Sequence, residues 1–315
     1  MELLVLREGV HGLPAESYAE ALRDRLDGHT VRHAKTPAEE REAIKSAELA
    51  TGLTVRRSIL DHAEELRTFA CAYAGTGHLP LDGLAERGVS VTNAAGVHAP
   101  NAAEQAIGSM LAFSRRLHEA ARTDTWQPVS PGEFAGSTVT IVGLGAIGKG
   151  IAERLEPFGV TTIGVRRTPA SGGPTDEVIG PEDLHGALAE SEFVVLCCPL
   201  TESTRGLIDS AALSTLPPDA VIVNVARGEV VETDALVESL RRGRIGGAVL
   251  DVTDPEPLPD DHPLWGLDDV LITPHSAGAT PKYYERLSDI VADNVSRMDA
   301  GRPLRNRVRI GAENE

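Results

Sequence analysis

The chain has 315 residues, 41% of them apolar, and a formal net charge of −17 from 47 acidic and 30 basic side chains. That length allows about two domains, each able to bury its own core, and the charge argues against nucleic acid or an anionic membrane as partner, since both are densely negative. No apolar run reaches membrane-spanning length and the opening Met1-Glu2-Leu3-Leu4-Val5-Leu6-Arg7 reads as a short strand rather than a secretion signal, so a cytoplasmic protein is expected.

In chain order, residues 2–6, 30–33, 49–55, 66–72 and 89–91 are candidate strands, with helical stretches such as 17–26 between them. The turn Tyr73-Ala74-Gly75-Thr76-Gly77 follows one of these strands, where open sheets bind ligands, and its amides could hold a small carboxylate. Alone it reads more readily as a plain connection. From Pro100 a long helix carries Ala103, Ala106, Ile107, Met110 and Leu111 on one face. A polar stretch with Trp126, Pro128 and Pro131 follows and reads as an extended arm.

The chain is organised around residues 138–168. A β-branched run leads into Gly143-Leu-Gly145-Ala146-Ile147-Gly148, and Ile151, Leu155 and Phe158 then recur at helical spacing before a second strand at 160–165. Strand, glycine turn, helix and strand form a dinucleotide-binding unit: the first glycine turns the chain, the second admits a pyrophosphate, and the third packs helix against strand. The helix start supplies free N–H groups and the positive end of its dipole. Where NAD-binding units carry an acid for the ribose 2′-hydroxyl, this chain has Arg166, Arg167 and Thr168. A guanidinium cannot accept those hydrogen bonds but can grip a 2′-phosphate. NADP(H) is therefore expected in preference, with NAD(H) possible if the Arg pair is merely solvated.

Further apolar runs at 193–198, 220–225, 248–252 and 270–273 alternate with helices such as 233–242, as in a parallel sheet covered on both faces. Arg227, Glu256 and His275 follow three successive strands, at the end of the sheet where ligand and cofactor meet. Leu287, Ile290, Val291, Val295 and Met298 mark a last helix that returns to the first domain. The expected fold class is α/β. Two Rossmann-like (flavodoxin-like) domains are arranged as a doubly wound parallel-sheet cofactor domain, residues 99–284, inserted into a smaller α/β substrate domain, residues 1–98 and 285–315. A cleft between them would house the chemistry. Cys71, Cys197 and Cys198 lack metal-ligand spacing and read as small core residues, and no metal is assigned. Only Lys35, Lys45, Lys149 and Lys282 are lysines. An acidic, Lys-poor surface suits a salt-rich cytoplasm, although a high-GC genome produces the same bias towards Arg.

From about Leu66 to Val291 the sequence resembles the D-2-hydroxyacid dehydrogenase family. The ordered motifs are the glycine turn, Pro199-Leu-Thr201-x-x-Thr204, Asn224-x-Ala226-Arg227-Gly228, Leu250-Asp251-Val-x-Asp254-Pro-Glu256-Pro and Thr273-Pro274-His275. The resemblance implies that Arg227 holds the substrate carboxylate and carbonyl, that Glu256 pairs with His275, and that His275 is the acid/base. It implies that Asp251 hydrogen-bonds the nicotinamide carboxamide and that residues Ala74, Gly75 and Thr76 bind the substrate carboxylate. Cys198, Pro199, Thr204, Val225, Ala226 and Gly278 would lie along the cofactor, and the helix from Pro100 with its arm would form a homodimer interface. Two positions depart from the family pattern, Arg166 after the second strand and Gly77 where related sequences often carry Asp.

The implied reaction is reduction of a small 2-keto acid to a D-2-hydroxy acid. Arg227 would supply fixed positive charge to the carboxylate and the developing alkoxide, and His275 the proton. An NAD-dependent member of the same family and a dinucleotide-sensing corepressor are the alternatives. The unbroken Arg, Glu and His set and the absence of a basic docking patch weigh against the second.

Overall fold

The computed structural model describes residues 1–126 and 128–309. The chain forms two compact units, one built from Met1–Val97 and the chain from Thr280 onwards, the other from His98–Ala279. The second crossing falls earlier than the expected 284/285 because Tyr283 and Tyr284 already belong to the first unit's core, where the Tyr283 hydroxyl donates to the Ala72 carbonyl at 2.6 Å.

The first unit is a five-stranded parallel sheet of β1 (Glu2–Val5), β2 (Thr30–His33), β3 (Leu49–Gly52), β4 (Thr68–Cys71) and β5 (Ser90–Thr92), in the order β2-β1-β3-β4-β5. Leu3 pairs with Leu49 and Phe69 with Val91. Strands β3 and β4 are buried throughout, as parallel strands covered on both faces must be, whereas β2 at the edge is only partly covered. Leu3, Val5 and Leu49 pack with Ala19 and Leu22 of helix Ala15–Arg23 and with Leu287, Ile290 and Val291 of helix Tyr283–Asp299. On the other face Leu4, Ala50 and Phe69 meet Ile44, Ile59 and Leu84. Each fully buried aliphatic or aromatic side chain contributes roughly 1.5–3 kcal/mol of transfer free energy.

The second unit holds seven parallel strands, β6 (Thr138–Val142), β7 (Thr161–Val165), β8 (Glu177–Ile179), β9 (Phe193–Leu196), β10 (Val221–Asn224), β11 (Gly247–Leu250) and β12 (Val270–Ile272). Their order is β12-β11-β10-β9-β6-β7-β8. The chain runs outward from β6 to β8, then returns to place β9 on the other side of β6. That reversal between β6 and β9 is the topological switch point, and it opens a crevice at the strands' carboxyl ends. Strand β8 is not among the elements expected from sequence. It is a three-residue edge strand, none of it fully buried, so it has neither the length nor the apolar continuity that makes a strand visible. Helix Ala99–Ser114 lies in this unit and packs Ala103, Ala106, Ile107 and Met110 against the sheet face that also takes Ile151, Ala152 and Leu155. Beyond it, the described part of the polar arm has no regular secondary structure; Gly132 N–H donates to Ser114 O at 2.9 Å and Trp126 is fully exposed. Among the described residues no helix is long and apolar enough to cross a membrane.

Candidate active site

The glycine turn shows three different reasons for its three glycines. Gly143 has φ +104°, and a Cβ there would sit 2.8 Å from the Cys198 backbone. A Cβ on Gly148 would lie 2.0 Å from Gly143 O. Those two are dictated by the protein's own packing. Gly145, the N-cap of helix Ala146–Leu155, is not: it has ordinary φ, and a Cβ there would meet nothing within 4 Å. The space above it is open, as required if a pyrophosphate is to approach the backbone at a helix start. A dinucleotide therefore fits the turn.

At the end of β7, Arg166 is half-buried and donates through Nη1 to Gly172 O, while Arg167 and Thr168 are exposed. The first carboxylate after the strand, Asp176, is engaged at the strand's other end. It accepts from Thr162 N–H and Oγ1, both at 2.8 Å, and these bonds hold its carboxyl below the usual range. The segment after β7 thus presents guanidinium groups where an NAD site presents an acid.

Cys197 Sγ donates to Gly143 O at 3.0 Å. Burial raises the Cys197 thiol well above its ordinary range and pushes Cys198 and Cys71 up to about 11, so none is a nucleophile near neutral pH. Pro199 sits in a turn closed by Thr204, whose hydroxyl donates to Pro199 O at 2.6 Å and accepts from Thr201 N–H at 2.8 Å. Thr204 thereby shapes the loop that follows β9.

Arg227 stands just past β10, exposed, with Nη1 donating to Ala226 O at 2.6 Å. The turn that presents it is fastened by Asn224, which is buried, accepts from Ala226 N–H at 3.0 Å and donates to Arg227 O at 2.9 Å. Gly228 follows because a Cβ there would lie 2.0 Å from Thr253 O. The backbone after β10 and the backbone after β11 are in contact at this point, which brings Arg227's turn beside the loop of Glu256.

His275 lies beyond β12 in the left-handed region, φ +51°. Its N–H donates to Asp251 O at 2.8 Å, and its Nδ1 is 2.7 Å from Glu256 Oε1. Glu256 accepts a hydrogen bond from Nδ1–H, so the pair orients the ring and leaves Nε2 facing outward. Both side chains are about half exposed, open to a ligand. Asp251, 3% exposed, accepts from Thr273 Oγ1 at 2.6 Å and from Ser276 and Ala277 N–H at 2.9–3.1 Å. The buried carboxylate is satisfied by the loop itself, holding the Thr273 side chain before His275 and the backbone of Ser276 and Ala277 after it. His98 Nδ1 and Asn101 Nδ2 lie against the carbonyls of Gly278 and Ala277, at 2.7 and 2.6 Å. The second half of the expected set, Arg227, Asp251, Glu256, His275 and Gly278, is thus assembled within one unit.

The expected carboxylate-binding turn belongs to the other unit. Ala74 and Gly75 are exposed and Thr76 partly so. The turn is held by Asn93 Nδ2, which donates to Ala74 O at 2.7 Å, and by Ala94 N–H to Tyr73 O at 3.0 Å. Tyr73 stacks on His11 with 4.7 Å between ring centroids. Neither Asn93 nor His11 is singled out by sequence, since nothing in local spacing connects them to residues 73–77.

Residues 107–277 match the model of the D-isomer specific 2-hydroxyacid dehydrogenase NAD-binding domain. Among similar proteins, the mouse glyoxylate reductase/hydroxypyruvate reductase is 37% identical over 253 residues, 76% of each chain. The glyoxylate reductase of Thermofilum pendens is 36% identical over 253 residues, 75% of this chain and 73% of that one. Among solved structures, a D-isomer specific 2-hydroxyacid dehydrogenase from Xanthobacter autotrophicus Py2, in complex with NADPH and MES, is 31% identical, covers 98% of both chains and has a TM-score of 0.77. This protein belongs to the D-isomer specific 2-hydroxyacid dehydrogenase family and is an NAD(P)-dependent oxidoreductase acting on CH–OH groups.

Proposed function

We propose that the protein reduces a small 2-keto acid to the D-2-hydroxy acid with NADPH as preferred cofactor. The observation that carries the reading is the 2.7 Å Glu256–His275 pair at the carboxyl end of the sheet, beside the turn that bears Arg227. The names of the glyoxylate and hydroxypyruvate reductases above favour a two- or three-carbon substrate. The glycine turn with Ala146, Ile147 and Gly148 would hold the pyrophosphate, Arg166 and Arg167 the 2′-phosphate with Thr168 beside them, and Pro199, Val225 and Ala226 the nicotinamide half. The bound nicotinamide supplies hydride to C2 of the keto acid. Arg227 orients the carboxylate and stabilises negative charge growing on the carbonyl oxygen. His275, held by Glu256, gives that oxygen its proton from Nε2 and takes it back in the reverse direction. Residues Ala74, Gly75 and Thr76 would accept the substrate carboxylate on their amides. The helix Ala99–Ser114 with the arm after it is the surface we assign to a homodimer contact.

The test is initial-rate loss of reduced-cofactor absorbance with NADPH and NADH in parallel, against glyoxylate, hydroxypyruvate and pyruvate. Turnover is expected to favour NADPH, and replacing Arg166 and Arg167 together with Ala is expected to raise KM for NADPH with little change for NADH. Equal loss with both cofactors would remove the 2′-phosphate role. Turnover only with NADH would leave the enzyme and overturn the cofactor preference. Binding of a dinucleotide without turnover of any 2-keto acid would favour a sensor instead.

A substitution tests the pair. Glu256→Ala removes the carboxylate that holds Nδ1 and orients the ring, so kcat for reduction is expected to fall by about tenfold or more with little change in the KM for NADPH. An unchanged kcat would mean that Glu256 does not position His275.

A further inference from the structure

At the amino end of the second sheet, opposite the chemistry, three ligating side chains meet. His118, in the short helix Leu117–Ala120, is 5% exposed. Its ring stacks on Phe113 with 4.0 Å between centroids and 15° between planes. Nδ1 lies 3.2 Å from Ala112 O, and a hydrogen bond to a carbonyl requires the proton on that nitrogen. With Nδ1 turned to the carbonyl, Nε2 is the nitrogen left to ligate. It is buried, has no hydrogen-bond partner among the described residues, and faces Glu119 Oε1 at 3.9 Å and Asp269 Oδ1 at 4.0 Å. The ligand atoms of all three residues fall within 4.8 Å of one another.

We propose that His118, Glu119 and Asp269 form a site for a divalent transition-metal cation of the zinc class. Arg116 meets one carboxylate of the cluster, but the buried Nε2 and the Asp269 carboxylate face one another with no hydrogen bond between them, an arrangement that a shared cation would satisfy. The separations are too long for hydrogen bonds. Two ligands of a tetrahedral Zn2+, each about 2.0–2.2 Å from the ion, lie about 3.4 Å apart, so the side chains would close on the ion by roughly half an ångström between His118 and each carboxylate, and by more wherever a pair of ligand atoms approaches the 4.8 Å that bounds the cluster. An imidazole that donates its Nδ1 proton to a carbonyl while Nε2 points at the ion is how metal-bound histidines are held in one tautomer. One imidazole and two carboxylates suit a borderline cation, with water completing the coordination. Arg116 also donates to Glu119 Oε1, so the ion would share that oxygen or turn the carboxylate to its other one.

The site's place indicates its work. Asp269 immediately precedes β12, and Arg122 reaches the same segment, its guanidinium donating to the carbonyls of Asp268 and Val270. An ion here ties the end of the helix pair to the start of the strand whose far end leads to His275. It would be structural, with no contact to substrate.

The experiment titrates the chelator-stripped full chain with Zn2+ against a chromophoric chelator, beside Asp269→Asn and Glu119→Gln. These two side chains are 55% and 34% exposed, so changing them leaves the core intact. The expected result is one tight equivalent in the unmodified protein, weakened roughly tenfold or more in each variant. A Zn2+-dependent rise in the thermal midpoint should be present in the unmodified protein and lost in both variants. No tight equivalent would overturn the proposal, and so would equal binding by all three proteins, which would reduce binding to the acidic surface at large.

Discussion

His275→Gln is expected to lower kcat for 2-keto acid reduction by about 10²–10⁴-fold, the range supplied by a positioned general acid. Gln has nearly the size of His and can keep a hydrogen bond to Glu256, but it cannot release a proton near neutral pH. The variant therefore separates proton delivery from packing. The backbone at 275 is held by its N–H to Asp251 O and by the Asp251 carboxylate on Ser276 and Ala277, so the loop should keep its course. Cofactor affinity, read by quenching of protein or nicotinamide fluorescence, should change little. A kcat within about threefold of the unmodified enzyme, far short of the general-acid range, would show that another group or water protonates the product.

Arg227→Lys is expected to cost about 10²–10³ in kcat/KM, comparable to loss of a preorganised donor at a developing oxyanion. Charge is conserved in this change, so the loss reads geometry. A guanidinium offers two parallel donors to a carboxylate and can keep a third group engaged, as Nη1 already does with Ala226 O. An ammonium offers a point charge on a flexible stem. If Arg227 only steers anions towards the site, Lys will serve nearly as well and the profile will show a salt-dependent KM effect alone. If it grips the carboxylate and the carbonyl oxygen, kcat will fall as well, and salt will not restore it.

Much of this architecture was legible because local and global signals agree. The strand, glycine turn and helix at 138–155 carry their reasons in sequence: β-branched residues for the strand, Gly143 for a positive φ, and an apolar stripe of Ile151 and Leu155. The order of Arg227, Glu256 and His275 at strand ends was readable because parallel strands put all their carboxyl ends on one side. What escaped depends on contacts between distant residues. Asn224 clamping the Arg227 turn, Asp251 fastening the loop around His275, and Asn93 holding residues 73–77 are polar side chains whose partners are main-chain atoms. Backbone groups have no sequence identity to detect. Strand β8 escaped for another reason, since an exposed three-residue edge has no pattern. His118 and Asp269 are separated in sequence by six strands, β6 to β11, so their meeting is written in the sheet order alone.

The discontinuous first unit imposes an order on biosynthesis. The segment His98–Ala279 is contiguous and leaves the ribosome complete, whereas the sheet of β1–β5 lacks Tyr283, Leu287, Ile290 and Val291 until helix Tyr283–Asp299 emerges, after the whole second unit has been made. At roughly 5–20 residues per second, the face bearing Leu3, Val5 and Leu49 waits on the order of 10–40 seconds for part of its cover. The amino-terminal third of the nascent chain is thus the segment most exposed to holding chaperones, and truncation before Tyr283 would damage the first unit while sparing the second.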